Sequence, residues 1–298
     1  MSRTLEIIIT GASGFLGREL VKTCGKLYPD AVIIPIKSPR AGGLDLGAGG
    51  ADEKLRKTIN LSNPGNAVLI HAAAWVDWNT PDGFFINAAM AVNAAQWARA
   101  ANVGFCVLAG GVNVYMLGPE VDLETPPQPG SFYGLGKLAA EHAWRLLLEP
   151  EKTAMIRLAG IFGWQEKPTL FWNRLLLLAL NGPQAGGKTT ARRDSKRNYI
   201  SAYDASRCLL ETGVHAMSGL FMGASFETVD MAAFVRTLKM LPGSRLEVEW
   251  SDDAATEDKI VYSPSSQLSP WVRSFSDNMS HLWSDIPDWA KQGVVSLS

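Results

Sequence analysis

Apolar and polar positions follow two rhythms along the first 160 residues. Five short runs, Leu5–Thr10, Ala31–Ile36, Ala67–His71, Phe105–Ala109 and Thr153–Leu158, are almost continuously apolar. Such runs mark strands covered on both faces. Between them apolar residues recur at helical spacing over Gly14–Leu27, Asp52–Ile59, Asn87–Ala101 and Gly134–Leu148, and Tyr28-Pro29-Asp30 breaks the first helix. Alternating strands and helices predict an α/β fold with a doubly wound parallel sheet. After Gly163 the rhythm changes. A helix over Thr169–Leu180 leads into a polar stretch, Gly186–Lys196, then a strand (Asn198–Ala202) and a helix (Ala205–His215). A helix over Val229–Leu241, a strand over Leu246–Trp250 and a Ser/Pro/Trp-rich tail follow. These segments predict a small C-terminal lobe. Residues 1–163 form the larger domain, a segment about 197–215 returns to it, and 164–298 mainly form the lobe.

Composition narrows the class. Hydrophobic residues make up 47% and charged residues 19% of 298 positions, enough to bury a sizeable core and unlike a disordered chain. Lys+Arg 28 against Asp+Glu 29 leaves a net charge of -1, which argues against a nucleic-acid or anionic-membrane partner. Cys24, Cys106 and Cys208 lie too far apart for a disulfide framework or a CxxC metal site. The longest aliphatic stretch, Leu175–Leu180, is too short to span a bilayer. A soluble cytoplasmic protein is expected. His71, His142, His215 and His281 have no metal-ligand spacing, and His71, closing a strand, is expected to be structural. Trp271, Trp283 and Trp289 are expected to pack the small lobe.

Gly11-Ala12-Ser13-Gly14-Phe15-Leu16-Gly17 follows a strand and opens a helix. Glycines there let backbone approach a pyrophosphate, and the helix N-terminus adds free N–H groups and a positive dipole end. Further motifs follow in order: His71-Ala72-Ala73-Ala74, Asn87 with Asn93 and Ala98, Tyr133-Gly134-Leu135-Gly136-Lys137, Arg157 through Gly163, and Arg197-Asn198-Tyr199-Ile200 with Asp204. Together, over about residues 4–215, they resemble the short-chain dehydrogenase/reductase superfamily. The likeness is to its extended branch, which acts largely on nucleotide-linked sugars. The resemblance implies a Rossmann-type nucleotide-binding domain with a small C-terminal substrate-binding lobe. It implies cofactor contacts from Gly11, Ser13, Gly14, Phe15, Leu16, Gly17, Ala72, Ala73, Ala74, Asn87, Tyr133 and Lys137. It also implies a homodimer paired through Asn87–Ala101 and Gly134–Leu148.

Tyr133 and Lys137, four apart on one helix, share a face. An adjacent ammonium stabilises a phenolate and lowers a tyrosine pKa from about 10. Such a tyrosine exchanges a proton with an alcohol or ketone while a nicotinamide exchanges hydride. One departure from the family stands out. Its strand ends S-S-x-x-V-Y-G, with the second hydroxyl bonding the substrate oxygen, whereas this chain has Gly110-Gly111-Val112-Asn113-Val114-Tyr115-Met116. The hydroxyl position is Gly111. Asn113, placed two residues on along an extended strand, or a water takes that role; alternatively the glycine admits a bulky substrate or activity is lost. Family members that dehydrate sugars carry Asp-Glu where Val112 and Asn113 stand, so dehydration is disfavoured.

Cofactor and substrate choice come from other positions. NAD-specific relatives end the second strand with an acid. Here Lys37, Ser38 and Arg40 follow Ile36 and suit a 2′-phosphate, so NADP is expected over NAD. Asp45-Leu46 resembles the family's pair near the adenine. Arg197 and Asn173 match positions that meet a nucleotide-sugar, the expected small-molecule substrate. The expected activity is keto reduction of a nucleotide-linked sugar. The alternatives are an epimerase with tightly bound cofactor and a non-catalytic NADP-binding sensor.

Overall fold

The computed structural model describes residues 4–115, 118–165, 171–182, 189–251 and 259–291. The first half runs β1 (Glu6–Thr10), α1 (Phe15–Leu27), β2 (Val32–Ile36), α2 (Ala51–Thr58), β3 (Ala67–His71), α3 (Asp82–Ala100), β4 (Phe105–Gly111), β5 (Glu120–Val121), α4 (Phe132–Leu147) and β6 (Thr153–Leu158). Then follow β7 (Ile161–Phe162), α5 (Phe171–Asn181), β8 (Thr189–Arg192), β9 (Lys196–Arg197), β10 (Ile200–Ser201), α6 (Ala202–Val214) and β11 (Gly219–Gly223). The remainder holds β12 (Val229–Asp230), α7 (Met231–Lys239), β13 (Val248–Ser251), β14 (Lys259–Tyr262) and α8 (Phe275–Asp285).

Six strands form one sheet in the order β11-β6-β4-β3-β1-β2, every neighbouring pair parallel. The period-2 alternation of a strand explains why the apolar runs are continuous. Ile7 and Ile9 enter one core cluster with Val68, Ile70 and α6 residues, while Ile8 enters the other with Leu69, Ala94 and Trp97. Both faces are therefore covered, as the unbroken hydrophobic runs require. The chain passes from β1 to β2 on one side and returns to β3 on the other. The crevice at such a reversal, beyond the strands' carboxyl ends, is where open α/β sheets bind ligands.

A third cluster joins α5, α7 and α8 around Leu175, Phe234, Leu238 and Leu282. Trp283 packs there, but Trp271 packs against the sheet-side cluster with Leu268, contrary to its expected place in the small lobe. The Trp289 side chain, Thr169 and Gly186–Lys188 lie outside the described residues. Several element ends moved because of capping. The strand expected over Asn198–Ala202 shrinks to Ile200–Ser201, since the Ser201 hydroxyl accepts Asp204 N–H at 3.0 Å and starts α6. Asp230 likewise caps α7. Helix α3 starts at Asp82 behind Pro81, whose fixed φ suits a helix start.

Candidate active site

The glycine loop is built from bare backbone. Gly11 has φ +71, and a Cβ there would lie 2.6 Å from the Ala73 backbone. A Cβ at Gly17 would overlap the Gly11 carbonyl. Helix α1 opens at Gly14 with no side chain capping it, so its first N–H groups face the crevice. This cradle fits a pyrophosphate. The Ser13 hydroxyl accepts from Ser38 N–H and donates to the Ser38 hydroxyl, both at 3.0 Å, and Ala12 N–H donates to the Ile36 carbonyl at 3.1 Å. The loops after β1 and β2 are thus stitched together. Phe15 packs at Gly163 and Leu16, partly buried, against the core.

The loop after β2 turns tightly through Pro39–Ala41, closed by Gly43 N–H on the Ser38 carbonyl (2.9 Å) and Leu44 N–H on the Lys37 carbonyl (3.0 Å). Lys37 and Arg40 are left exposed. Asp45 caps its own turn through Gly47 N–H at 3.0 Å, and Leu46 is buried. On the far side of β1, Ala72 N–H donates to the Thr10 carbonyl at 3.3 Å. Ala73 is buried and Ala74 exposed. Asn87 is buried and its amide is spent on backbone: Trp75 N–H, the Trp75 carbonyl and the Gly83 carbonyl. These bonds shape the loop after β3.

The Tyr133–Lys137 pair hangs on α4. The Ser131 hydroxyl accepts Gly134 N–H at 3.1 Å and caps the helix, which places Tyr133 in its first turn. One turn later Lys137, 5% exposed, donates to the Ala109 carbonyl at 3.0 Å, with its Nζ 5.8 Å from the Tyr133 ring centre. Burial pushes the Tyr133 phenol up to about 12. Burial also pulls Lys137 down to about 8, opposed by the Glu141 carboxylate. The expected lowering of the tyrosine pKa is therefore reversed. Desolvation of the phenolate outweighs an ammonium that is itself desolvated and aimed at a carbonyl.

Asn113 corrects a second expectation. It does not lie on an extended strand but in a 3-10 turn, Val112–Val114, directly after β4. That turn still delivers it. The Asn113 Oδ1 lies 3.1 Å from where a Gly111 Cβ would be, so the amide borders the space left by the missing hydroxyl side chain. The Asn113 carbonyl in turn abuts Gly134, where no Cβ could fit, which seats the turn on the first turn of α4 beside Tyr133. Trp78 packs on Tyr133, ring centres 4.8 Å apart.

Beneath this lies a buried charge cluster that residue patterns alone did not identify. Glu141, 1% exposed, is one turn beyond Lys137 on α4. Arg157 on β6, 3% exposed, donates Nε at 3.0 Å and Nη2 at 2.7 Å to its two oxygens, and Nη1 to the Tyr115 hydroxyl. The signal available was a glutamate on the apolar face of a helix. His71 accepts or donates at Thr10 Oγ1 (2.8 Å), and burial with the Lys137 charge nearby holds its pKa at about 3, so it is a neutral structural residue. Asn173 is buried, accepting Gly163 N–H at 3.0 Å and donating to Gln165 at 2.8 Å. Arg197 ends β9 beside β14, where its charge acts on Tyr262.

The sequence profile described as "NAD dependent epimerase/dehydratase family" matches residues 7–218. No curated protein sequence matches the chain. Among solved structures it is similar to dTDP-4-dehydrorhamnose reductase from Bacillus anthracis in complex with NADP, at 17% identity over 95% of this chain and 100% of that one, TM-score 0.77. It is also similar to UDP-N-acetylglucosamine 4-epimerase from Bacillus cereus, at 19% identity over 95% and 99% of the two chains, TM-score 0.74. MoeE5 in complex with UDP-glucose and NAD is 19% identical over 94% and 97%, TM-score 0.72. At these identities the structures share the fold.

Proposed function

Because the chain belongs to the NAD-dependent epimerase/dehydratase family, a family of nicotinamide-dependent enzymes, we propose that it is an NADP-dependent oxidoreductase reducing a keto group of a nucleotide-linked sugar. The observation that carries this reading is the meeting of Tyr133, Lys137 and Asn113 where β4 runs onto α4. Bound NADPH would supply the hydride. The remaining work falls to the chain. A phenol with its pKa pushed up to about 12 is protonated at neutral pH, the state a reduction needs. Tyr133 gives its proton to the carbonyl oxygen as the alcohol forms. Lys137, charged below about pH 8, steadies the phenolate left behind. Asn113, whose Oδ1 borders Gly111, turns its amide over to donate Nδ2 to the same substrate oxygen in place of the hydroxyl that Gly111 lacks. Val112 and Asn113 offer no acid for water elimination.

Lys37, Ser38 and Arg40, where β2 ends with no acid, take the 2′-phosphate of NADPH. Arg197 takes a phosphate of the sugar nucleotide, and Asn173 shapes the wall near it. Residues 1–163, with the return at about 197–215, hold the cofactor, and most of 164–298 holds the substrate. Exposed Phe85 on α3 and Leu146 on α4 support a homodimer through those helices. Three free, buried cysteines support a reducing, cytoplasmic setting. Among the described residues no helix is long and apolar enough to cross a membrane.

The test is NADPH consumption with a panel of 4-keto-sugar nucleotides. Turnover with at least one, dependent on NADPH over NADH, is the expected outcome. Binding of NADPH without turnover on any of them, or equal use of NADH, would contradict the reading.

A further inference from the structure

Two side chains to which the proton-transfer chemistry assigns nothing meet across the nucleotide crevice. Arg40 stands on the loop after β2, and its guanidinium carbon lies 5.5 Å from the centre of the Trp75 ring on the loop after β3. Strands β2 and β3 flank β1 on either side, so this contact bridges the two loops that border the glycine loop. Among the described residues the Arg40 guanidinium has no ion pair or hydrogen bond, so its N–H edge is unspent.

Trp75 is 39% exposed, yet its backbone is held at both polar atoms. Buried Asn87 accepts its N–H at 3.0 Å and donates to its carbonyl at 2.8 Å. Asn87 is fixed in turn by its second donor on the Gly83 carbonyl at 2.7 Å, within α3. An indole has only two side-chain torsions, so a tryptophan on a clamped backbone is a rigid platform. A guanidinium stacks on such a face and keeps its in-plane donors directed outward.

We propose that Trp75 is a positioning residue for Arg40, holding the guanidinium at the crevice with its N–H edge toward the 2′-phosphate of NADPH. The proposal rests on the assignment of Arg40 to that phosphate. Preorganisation of this kind raises affinity by reducing what must be ordered on binding. It gives discrimination only for the ligand that carries the phosphate. Trp75 therefore sharpens the choice of NADPH over NADH without touching what the two cofactors share.

The experiment is a set of fluorescence titrations of the full chain with NADPH and with NADH. The proteins are wild type, Trp75→Ala, Trp75→Phe, Arg40→Ala and the Trp75→Ala/Arg40→Ala double variant. Thermal melts confirm that each is folded. An exposed cation–π contact is worth about two- to fivefold in a binding constant. Trp75→Ala should weaken NADPH by that factor and NADH by less than twofold. Trp75→Phe should keep most of the wild-type affinity. The double variant should match Arg40→Ala alone, because the indole acts through the arginine. Selectivity lost in Arg40→Ala but intact in Trp75→Ala would overturn the positioning role and leave the phosphate site standing. Equal weakening of both cofactors by Trp75→Ala, additive losses in the double variant, or tighter binding once the indole is gone would also overturn it. An Arg40→Ala protein that keeps full NADPH preference would overturn the phosphate assignment itself and the proposal with it.

Discussion

The two sides of the crevice are built by opposite means. On the nucleotide side the contacts are backbone and small hydroxyls: Gly11 against Ala73, Gly17 against Gly11, Ser13 against Ser38. The side chains that carry charge there, Lys37 and Arg40, are exposed. On the reacting side the charges are buried. Lys137, Glu141 and Arg157 are each at most 5% exposed; Arg157 binds Glu141 and Tyr115, and the Glu141 charge acts on Lys137. A shape-built cradle tolerates polar changes at its rim and fails when a methyl group enters. A charge-built site tolerates modest changes of shape and fails when one ion loses its partner. The difference teaches where stability and where affinity are vulnerable.

The sharpest contrast comes from the reacting side. Tyr133→Phe should lower turnover by about 10²–10⁴, the usual worth of a positioned acid, and leave NADPH binding within twofold. The check is steady-state NADPH absorbance beside a fluorescence titration. Next in size is Arg157→Leu, which strands the Glu141 carboxylate in the core and should cost about 3–5 kcal/mol of stability by urea unfolding. Glu141→Leu in the same chain should return most of it, since the pair is then replaced by apolar contacts. On the nucleotide side, Lys37→Ala with Arg40→Ala should weaken NADPH at least about tenfold and NADH little, with no change in the urea midpoint, given charge-assisted bonds of about 1.5–3 kcal/mol.

The smallest effect is on pH. Lys137 is charged below about pH 8, so hydride transfer should fall as pH rises through that value. Glu141 holds the lysine pKa up, so Glu141→Gln should move the break to lower pH. Between about 8 and 10.5 only the unfolded chain keeps this proton, so the Lys137 contribution to stability rises with pH across that window. A break that stays in place in Glu141→Gln would remove the carboxylate from the lysine's environment.

Legibility in the sequence followed the same division. The sheet was readable because Ile7, Ile8 and Ile9 are β-branched and apolar in a row, ahead of a glycine turn, as a strand covered on both faces requires. The glycine loop was readable because its spacing is a steric requirement. β11 was not, since Gly219-Leu220-Phe221-Met222-Gly223 is short and bounded by glycines, and only its pairing with β6 makes it a strand. Asn113 was matched to the right neighbour through the wrong geometry, because nothing local distinguishes a continuing strand from a 3-10 turn at Val112. Glu141–Arg157 and Arg40–Trp75 join different elements, so no local pattern reports them. The raised phenol of Tyr133 also lay beyond spacing, since burial and not proximity to Lys137 sets its direction.

Asn113 is proposed to supply the hydrogen bond missing at Gly111. Single-turnover hydride transfer tests it most directly, followed by NADPH absorbance in wild type, Asn113→Ala, Asn113→Ser and Gly111→Ser/Asn113→Ala. Loss of a donor to developing oxyanion charge costs about 2.7–4 kcal/mol, so Asn113→Ala should be slower by at least about tenfold. Asn113→Ser should be milder. Gly111→Ser should restore part of the rate, because removing the Asn113 amide opens the space that a Gly111 Cβ now finds 3.1 Å from Oδ1. An unchanged rate in Asn113→Ala would contradict the claim and assign the donor to an ordered water.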